Sequence, residues 1–285
     1  MILVIGATGP TGRAVTRALV RRGAPVRAFV RRSEAAAEAR EAGATEVSFG
    51  DLLDAESVAS ALAGATGVYF IGPRFMPEEA GVGRTVIDLA QRAGVRRFAY
   101  SGVYHPAISA LLNHRVKLEI EDHLYKSDLE FTVLQPARFM HGLLLSSASS
   151  ILERGVLSDA FSPERRMAYV DYDDVAEVAA IALTTDDLVR GAFELSAAGE
   201  WTLHELAAQL SELLGRPVTA TQTPLDEYAP ARSLLADPYA ADGFHRLRAY
   251  YDEFGFRGGN PLVLETILGR RATSFADCAK RILLG

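Results

Sequence analysis

The sequence predicts an α/β protein with a doubly wound parallel sheet and a smaller, mainly helical part towards its C-terminus. Three observations carry that reading. Short β-branched runs alternate with longer segments whose apolar residues recur at helical spacing. A glycine-rich turn follows the first run and opens the first helical segment, and after residue 136 the alternation changes rhythm. With 285 residues, 49% of them hydrophobic and 23% charged, the chain is long enough for a large α/β domain with or without an appended smaller one.

The strand-like runs are Ile2–Ile5, Val26–Val30, Glu46–Phe49, Gly67–Ile71, Arg97–Ser101 and Phe131–Gln135. Between them lie helical patterns over Thr11–Arg22, Glu34–Ala42, Ala55–Ala63, Glu78–Ala93 and Asn113–Lys126. Alternation of this length implies right-handed βαβ crossovers and a parallel sheet covered on both faces. Gly23, Gly43 and Gly94 each end a helical pattern, where a left-handed cap favours a residue without Cβ.

Later segments read as a helix Phe139–Leu152, a strand Arg166–Val170 and a helix Asp174–Thr184, with Asp171, Asp173 and Asp174 around its N-terminus. Phe193–Ser196 follows, then a helix Leu203–Leu214 capped by Thr202, an extended Val218–Thr223, and a helical tail rich in aromatics that ends in Phe275–Leu284. The expected division is a core at 1–150 and a C-terminal part at 151–285, with a segment of about 166–197 returning to the core.

A net charge of −6 argues against a broad basic surface for nucleic acid or anionic lipid. No run of about 18 apolar residues appears, and the apolar N-terminus is too short for a signal segment, so a cytoplasmic protein away from membranes is expected. The single cysteine, Cys278, reads as a buried core thiol.

Gly6-Ala7-Thr8-Gly9-Pro10-Thr11-Gly12 stands between the first strand and the first helix, as a dinucleotide-binding loop requires. Gly6 allows the tight turn, Gly9 lets the backbone approach a pyrophosphate, and Gly12 lets helix and strand pack closely. The helix N-terminus then presents N–H groups to phosphate. No Gly-Lys-Ser/Thr closes the motif, which excludes a P-loop.

After the second strand, where an NAD site would carry an acidic residue, the chain has Arg31 and Arg32. Guanidinium recognises phosphate bidentately, so NADP(H) is the expected cofactor, with Arg31 the nearer candidate. Asp51 is placed either to accept from the adenine amine or to cap the following turn, and Gly72-Pro73 to line the other side of the crevice.

These residues, with Ser101-Gly102, Lys117 and Glu121, Leu134 to Met140 and Tyr169 to Ala176, resemble the NmrA-like branch of atypical short-chain dehydrogenases/reductases. The resemblance spans most of the first 180 residues. It implies a Rossmann core, a small C-terminal substrate part and a cleft between them. It also implies that Phe139 and Met140, after Pro136, flank the nicotinamide and substrate pocket, with Pro136 and Phe139 among the cofactor-binding residues, and that Ser101 lies near the reacting group. Such families include quinone, azo and isoflavone-type reductases, and also proteins that bind NADP without turnover and regulate a partner.

In that superfamily a tyrosine four residues before a lysine donates the proton. Here Lys117 matches the lysine, but Asn113 holds the tyrosine position. Asn113, His114, Lys117 and Glu121 share one helix face, so His114, with a pKa near neutrality, is a candidate donor, with Tyr104 a further one. The alternative is a solvated His114 and an ordinary surface Lys117–Glu121 pair. No metal is expected: after His204-Glu205, Ala208 occupies the place of a second histidine. Ala99 and Val103 likewise replace both glycines of a serine nucleophile elbow around Ser101.

The expected function is NADPH-dependent hydride transfer to a small conjugated carbonyl, imine or quinone, without the tyrosine donor. The alternative is an NADP(H)-binding regulator acting through a protein partner. A homodimer is compatible with either.

Overall fold

A computed structural model describes residues 1–228 and 235–285. In chain order the first elements are β1 (Ile2–Ile5), α1 (Pro10–Arg21), β2 (Val26–Val30), α2 (Ala35–Glu41), β3 (Glu46–Phe49) and α3 (Ala55–Leu62). Next come β4 (Gly67–Phe70), α4 (Glu79–Arg92), β5 (Arg97–Ser101), α5 (Leu112–Tyr125) and β6 (Glu130–Pro136). They are followed by β7 (Arg138–Phe139), α6 (Met140–Arg154), β8 (Val156–Asp159), β9 (Met167–Val170), α7 (Tyr172–Thr184) and β10 (Gly191–Leu195). The last are β11 (Glu200–Trp201), α8 (Leu203–Leu214), β12 (Thr219–Gln222), α9 (Pro238–Phe254), α10 (Leu262–Leu268) and α11 (Phe275–Leu283).

The first compact unit comprises Met1–Ala107, His114–Pro136 and Tyr172–Glu194. Its seven-stranded sheet has the order β10-β6-β5-β4-β1-β2-β3. From β3 to β6 every neighbouring pair is parallel, with Ile5 opposite both Phe29 and Phe70. β1 is buried throughout, as a strand covered on both faces must be. Alternate residues Leu3, Ile5, Val68, Phe70, Phe98, Tyr100, Phe131 and Val133 join α3, α4 and α5 in one apolar core. On the other face, α1 packs against α7, whose buried Ala176, Ala179 and Ala180 let the backbones come close.

Chain order reverses between β1 and β4, where successive connections leave to opposite sides. That is the switch point at which open α/β sheets form a crevice outside the carboxyl ends of their strands.

The second unit comprises Ile108–Asn113, Ala137–Asp171 and Leu195–Gly285. Two small sheets, β11-β9-β7 and β12-β8, lie in it with helices α6 and α8 to α11. The tail aromatics build part of its core: Phe161 packs on Tyr251 at 5.0 Å between ring centroids, and Tyr251 on Phe256 at 5.1 Å. The Arg138 guanidinium, buried against the Phe161 ring at 4.8 Å, donates to both carboxylate oxygens of Asp159.

Thr202 caps α8 as expected, in a capping box with Glu205. The division falls after Pro136 rather than at 150, and the segment rejoining the first unit is Tyr172–Glu194, inside the expected 166–197. The reason is local: β6 ends at Pro136, and Arg138–Phe139 pair with β9 instead of starting a helix. β7, β8 and β11 escape sequence reading because two to four residues carry no period of their own; their partners lie far along the chain.

Candidate functional site

A groove of about 300 Å³ opens at the carboxyl ends of β1 and β4, lined by Gly6, Gly9, Pro10, Thr11, Gly12, Leu52, Ile71, Gly72 and Pro73. The sequence-selected loop forms one wall, and Gly72 and Pro73 stand on the other. Gly6 has φ +87°, and the Gly9 amide donates to its carbonyl at 3.1 Å, closing a tight turn. A Cβ on residue 12 would stand 2.1 Å from the Gly6 oxygen, so no other residue fits there. At Gly9 the only neighbour is that oxygen, at 3.5 Å, which leaves the groove side open for close approach by a ligand. Pro10 occupies the first turn of α1, whose unpaired N–H groups face the turn. Thr8 is half-buried in the same turn, and the Thr11 hydroxyl hydrogen-bonds with that of Tyr172.

Arg31 and Arg32 are exposed just after β2, and neither guanidinium makes a hydrogen bond or ion pair with the described residues. Arg32 lies near Glu34, whose carboxyl is held below its ordinary value by bonds from its own backbone and Ser33, with Arg32 adding to the effect. Asp51 spends one oxygen on the turn: Oδ1 accepts from the Leu53 amide at 2.9 Å. The next residue, Leu52, reaches the groove.

On α5 the buried positions are Asn113, His114, Lys117, Ile120, Glu121 and Leu124, a single stripe at helical spacing. Lys117 is no surface lysine. It is 7% exposed and donates from Nζ to Glu79 Oε1 at 3.0 Å, with Glu79 itself 1% exposed. The Tyr100 ring centroid lies 6.0 Å from the same nitrogen.

Glu121 does not pair with Lys117. Its Oε2 accepts from Gln135 Nε2 at 2.9 Å, while Oε1 is buried without a hydrogen-bond partner. Burial pushes its carboxyl up to about 7. Tyr100, above it, is raised well beyond an ordinary phenol, first by burial and then by Glu79 and Glu121.

His114 differs from both expectations. It is fully buried, not solvated, and burial lowers it to about 4 instead of leaving it near neutrality. The neutral ring donates from Nδ1 to the His105 carbonyl at 2.9 Å, so at pH 7 it has no imidazolium proton to give. Asn113, at the tyrosine position, is buried with Oδ1 unsatisfied. Ser101 is buried at the end of β5 beside Tyr69. Tyr104 is 3% exposed, its ring 3.9 Å from that of His105, and its amide donates to Pro136 O.

Phe139 lies on β7 of the second unit, half-buried. In that unit a small cavity of about 80 Å³ is lined by Met140, Tyr169, Trp201, Gln209, Phe275 and small residues. Cys278 is buried as expected, and burial with nearby Asp171 pushes its thiol ionisation up. Asp171, His141 and Cys278 converge, but on the Arg281 guanidinium, which donates to Asp171 and supplies the positive charge there.

Sequence reasoning missed Glu79 and Tyr172. Glu79 had a signal: it stands three and seven residues before Val82 and Val86, on the apolar stripe of its own helix, where a carboxylate needs a partner. Tyr172 lies in the run that carries the family resemblance, but only the docking of α7 on α1 brings it to Thr11.

The NmrA-like family matches residues 1–275. The chain is 32% identical to an NAD(P)H azoreductase of Xenophilus azovorans over 98% of this chain and 97% of that one. It is 28% identical to quinone oxidoreductase 2 of Escherichia coli, over 99% and 98%. The solved structure of an NADPH-dependent quinone oxidoreductase from Escherichia coli, complexed with NADPH, superposes with TM-score 0.80 at 27% identity, covering 99% of both chains.

Proposed function

The chain belongs to the NmrA-like family, and on that footing we propose that it is an NADPH-dependent reductase of quinone- or azo-type acceptors. The observation that carries the reading is the groove at the β1/β4 switch point, with glycine backbone on one wall and Gly72-Pro73 on the other. The cradle fits a dinucleotide: a side chain at Gly12 is excluded, and one at Gly9 would project from the turn where a pyrophosphate has to approach. Held there, NADPH supplies the hydride.

The chain's own residues bind and orient. The α1 N-terminus faces the phosphates, Arg31 and Arg32 supply uncommitted guanidiniums for the 2′-phosphate, and Asp51 retains an oxygen for the adenine amine. Lys117 would hold the nicotinamide ribose, and Pro136 would be among the residues that contact the cofactor. Ser101 is the hydroxyl near the acceptor by resemblance, and Tyr104, three residues on, is either a substitute acid or a packing residue. With Asn113 in the tyrosine position and His114 neutral, the acceptor takes its proton from water, which suits quinones and azo groups because they demand little acid assistance.

NADPH oxidation followed at 340 nm against a panel of quinones, azo dyes and enones tests this. Turnover with NADPH in preference to NADH supports it. Tight NADPH binding with no oxidation by any acceptor would refute the reductase and favour the regulator, for which Asn113 is the supporting observation.

A further inference from the structure

We propose that Glu79 is the positioning residue for Lys117: its buried carboxylate holds the ammonium in one orientation behind the Gly72 wall of the groove. The inference rests on the reading that Lys117 contacts the bound cofactor. Glu79 lies close to both the Gly72 wall and the lysine. A Cβ added to Gly72, which lines the groove, would lie 3.4 Å from Glu79 Oε1, and that same oxygen accepts from Lys117 Nζ at 3.0 Å.

Stability alone does not explain such a pair. Taking a carboxylate and an ammonium out of water costs about as much as their attraction returns, and an apolar pair of equal volume is often more stable. What a buried counter-ion adds is orientation. A lysine has four side-chain torsions to fix, and an ammonium without a buried counter-ion would be free to swing among them. Here one proton goes to Glu79, and Lys117 makes no other hydrogen bond among the described residues, so two N–H donors stay uncommitted.

Glu79 is itself held. It occupies the first turn of α4, where a carboxylate is favoured by the helix dipole, and its amide donates to Met76 O. The other groups facing Lys117 are Tyr100 from β5 and His114 and Glu121 from its own helix. His114 is neutral at pH 7, Glu121 is bonded to Gln135 and Tyr100 offers only its ring, so among the described residues Glu79 is the hydrogen-bonding anchor of the ammonium. Where the superfamily orders its lysine next to a tyrosine, this chain has asparagine. A counter-ion on a different helix takes over the ordering.

The test compares wild type, Glu79→Gln, Glu79→Asp, Lys117→Met and the Glu79→Gln/Lys117→Met double variant, reading NADPH dissociation constants and thermal unfolding. Glu79→Gln is expected to weaken NADPH roughly 10-fold, the scale of one bond to a charged group. Glu79→Asp keeps the charge and should restore much of the wild-type affinity. In the Lys117→Met background the Glu79 change should add nothing. If Glu79→Gln does not fold, recovery of folding in the double variant supports the pair, and its absence overturns it. Equal effects of Glu79→Gln with and without Lys117, or NADPH binding in Glu79→Gln that matches wild type, overturn the proposal. Wild-type affinity in Lys117→Met instead overturns the cofactor contact, and non-additivity in unfolding then still decides the pairing.

Discussion

The carbonyl oxygen of Gly6 occupies the space that a side chain on Gly12 would need, 2.1 Å from the ideal Cβ position. The end of β1 and the first turn of α1 therefore meet backbone to backbone. Gly12→Ala should destabilise the first unit by about 1–3 kcal/mol, the usual scale of overpacking, and weaken NADPH as the turn opens. Gly9→Ala meets only an ordinary contact at 3.5 Å, so it should melt near wild type yet still bind NADPH more weakly. Thermal unfolding beside a binding titration separates the two; equal melting temperatures for both variants would contradict the packing argument.

Arg31 and Arg32 make no ion pair with the described residues, and that predicts a cofactor preference. Replacing both with alanine should weaken NADPH by about 1.5–3 kcal/mol for each charge-assisted bond lost and leave NADH nearly unchanged. Of the single variants, Arg31→Ala should carry more of the effect, because Arg31 directly follows β2 and Arg32 is one residue further along. An NADPH/NADH ratio unmoved in the double variant removes the phosphate role.

Glu121 should make the protein less stable as pH rises through neutrality. Its folded pKa is raised, so the folded state binds the proton more tightly than the unfolded one. The contribution is full below about 4.5 and fades as pH climbs through about 7. Glu121→Gln removes the titration. Its melting temperature should vary less than that of wild type between pH 5 and 8, the gap at pH 8 corresponding to at most about 3 kcal/mol. Parallel curves for the two proteins would assign the pH dependence elsewhere.

His114 acts with the opposite sign. A histidine lowered to about 4 by burial binds its proton more weakly in the folded state, so its contribution is present above about 6.5 and lost as pH falls towards 4. His114→Gln should melt less steeply with acidification between pH 6.5 and 4.5, and NMR titration of the wild-type ring should show no protonation near 6.5. A ring that titrates near neutrality would return His114 to the list of proton donors.

Much of the first unit was legible before any coordinates. Val26–Val30 and Arg97–Ser101 are runs long and apolar enough to identify themselves, and parallel burial on both faces makes them continuous. The glycine loop was legible because it states a backbone requirement: positive φ at Gly6 and no Cβ at Gly12 are demands that residue identity alone expresses. The second unit was less so. Its strand β8 pairs with Thr219–Gln222, some sixty residues on, and nothing within Val156–Asp159 announces that partner.

The sequence by itself determined the architecture and the glycine-lined groove, since hydrophobic period and glycine spacing are local properties that each segment carries alone. Tertiary structure decided what the ionisable groups are. Lys117, His114 and Glu121 share a helix stripe in either reading, surface or buried. Only the packing of α4 and the sheet against α5 takes them out of water, pairs the lysine with Glu79, strips the histidine of its proton and leaves the glutamate half-protonated near neutrality. Charge state follows from desolvation and from neighbours distant in the chain, and neither is written in the spacing of one helix.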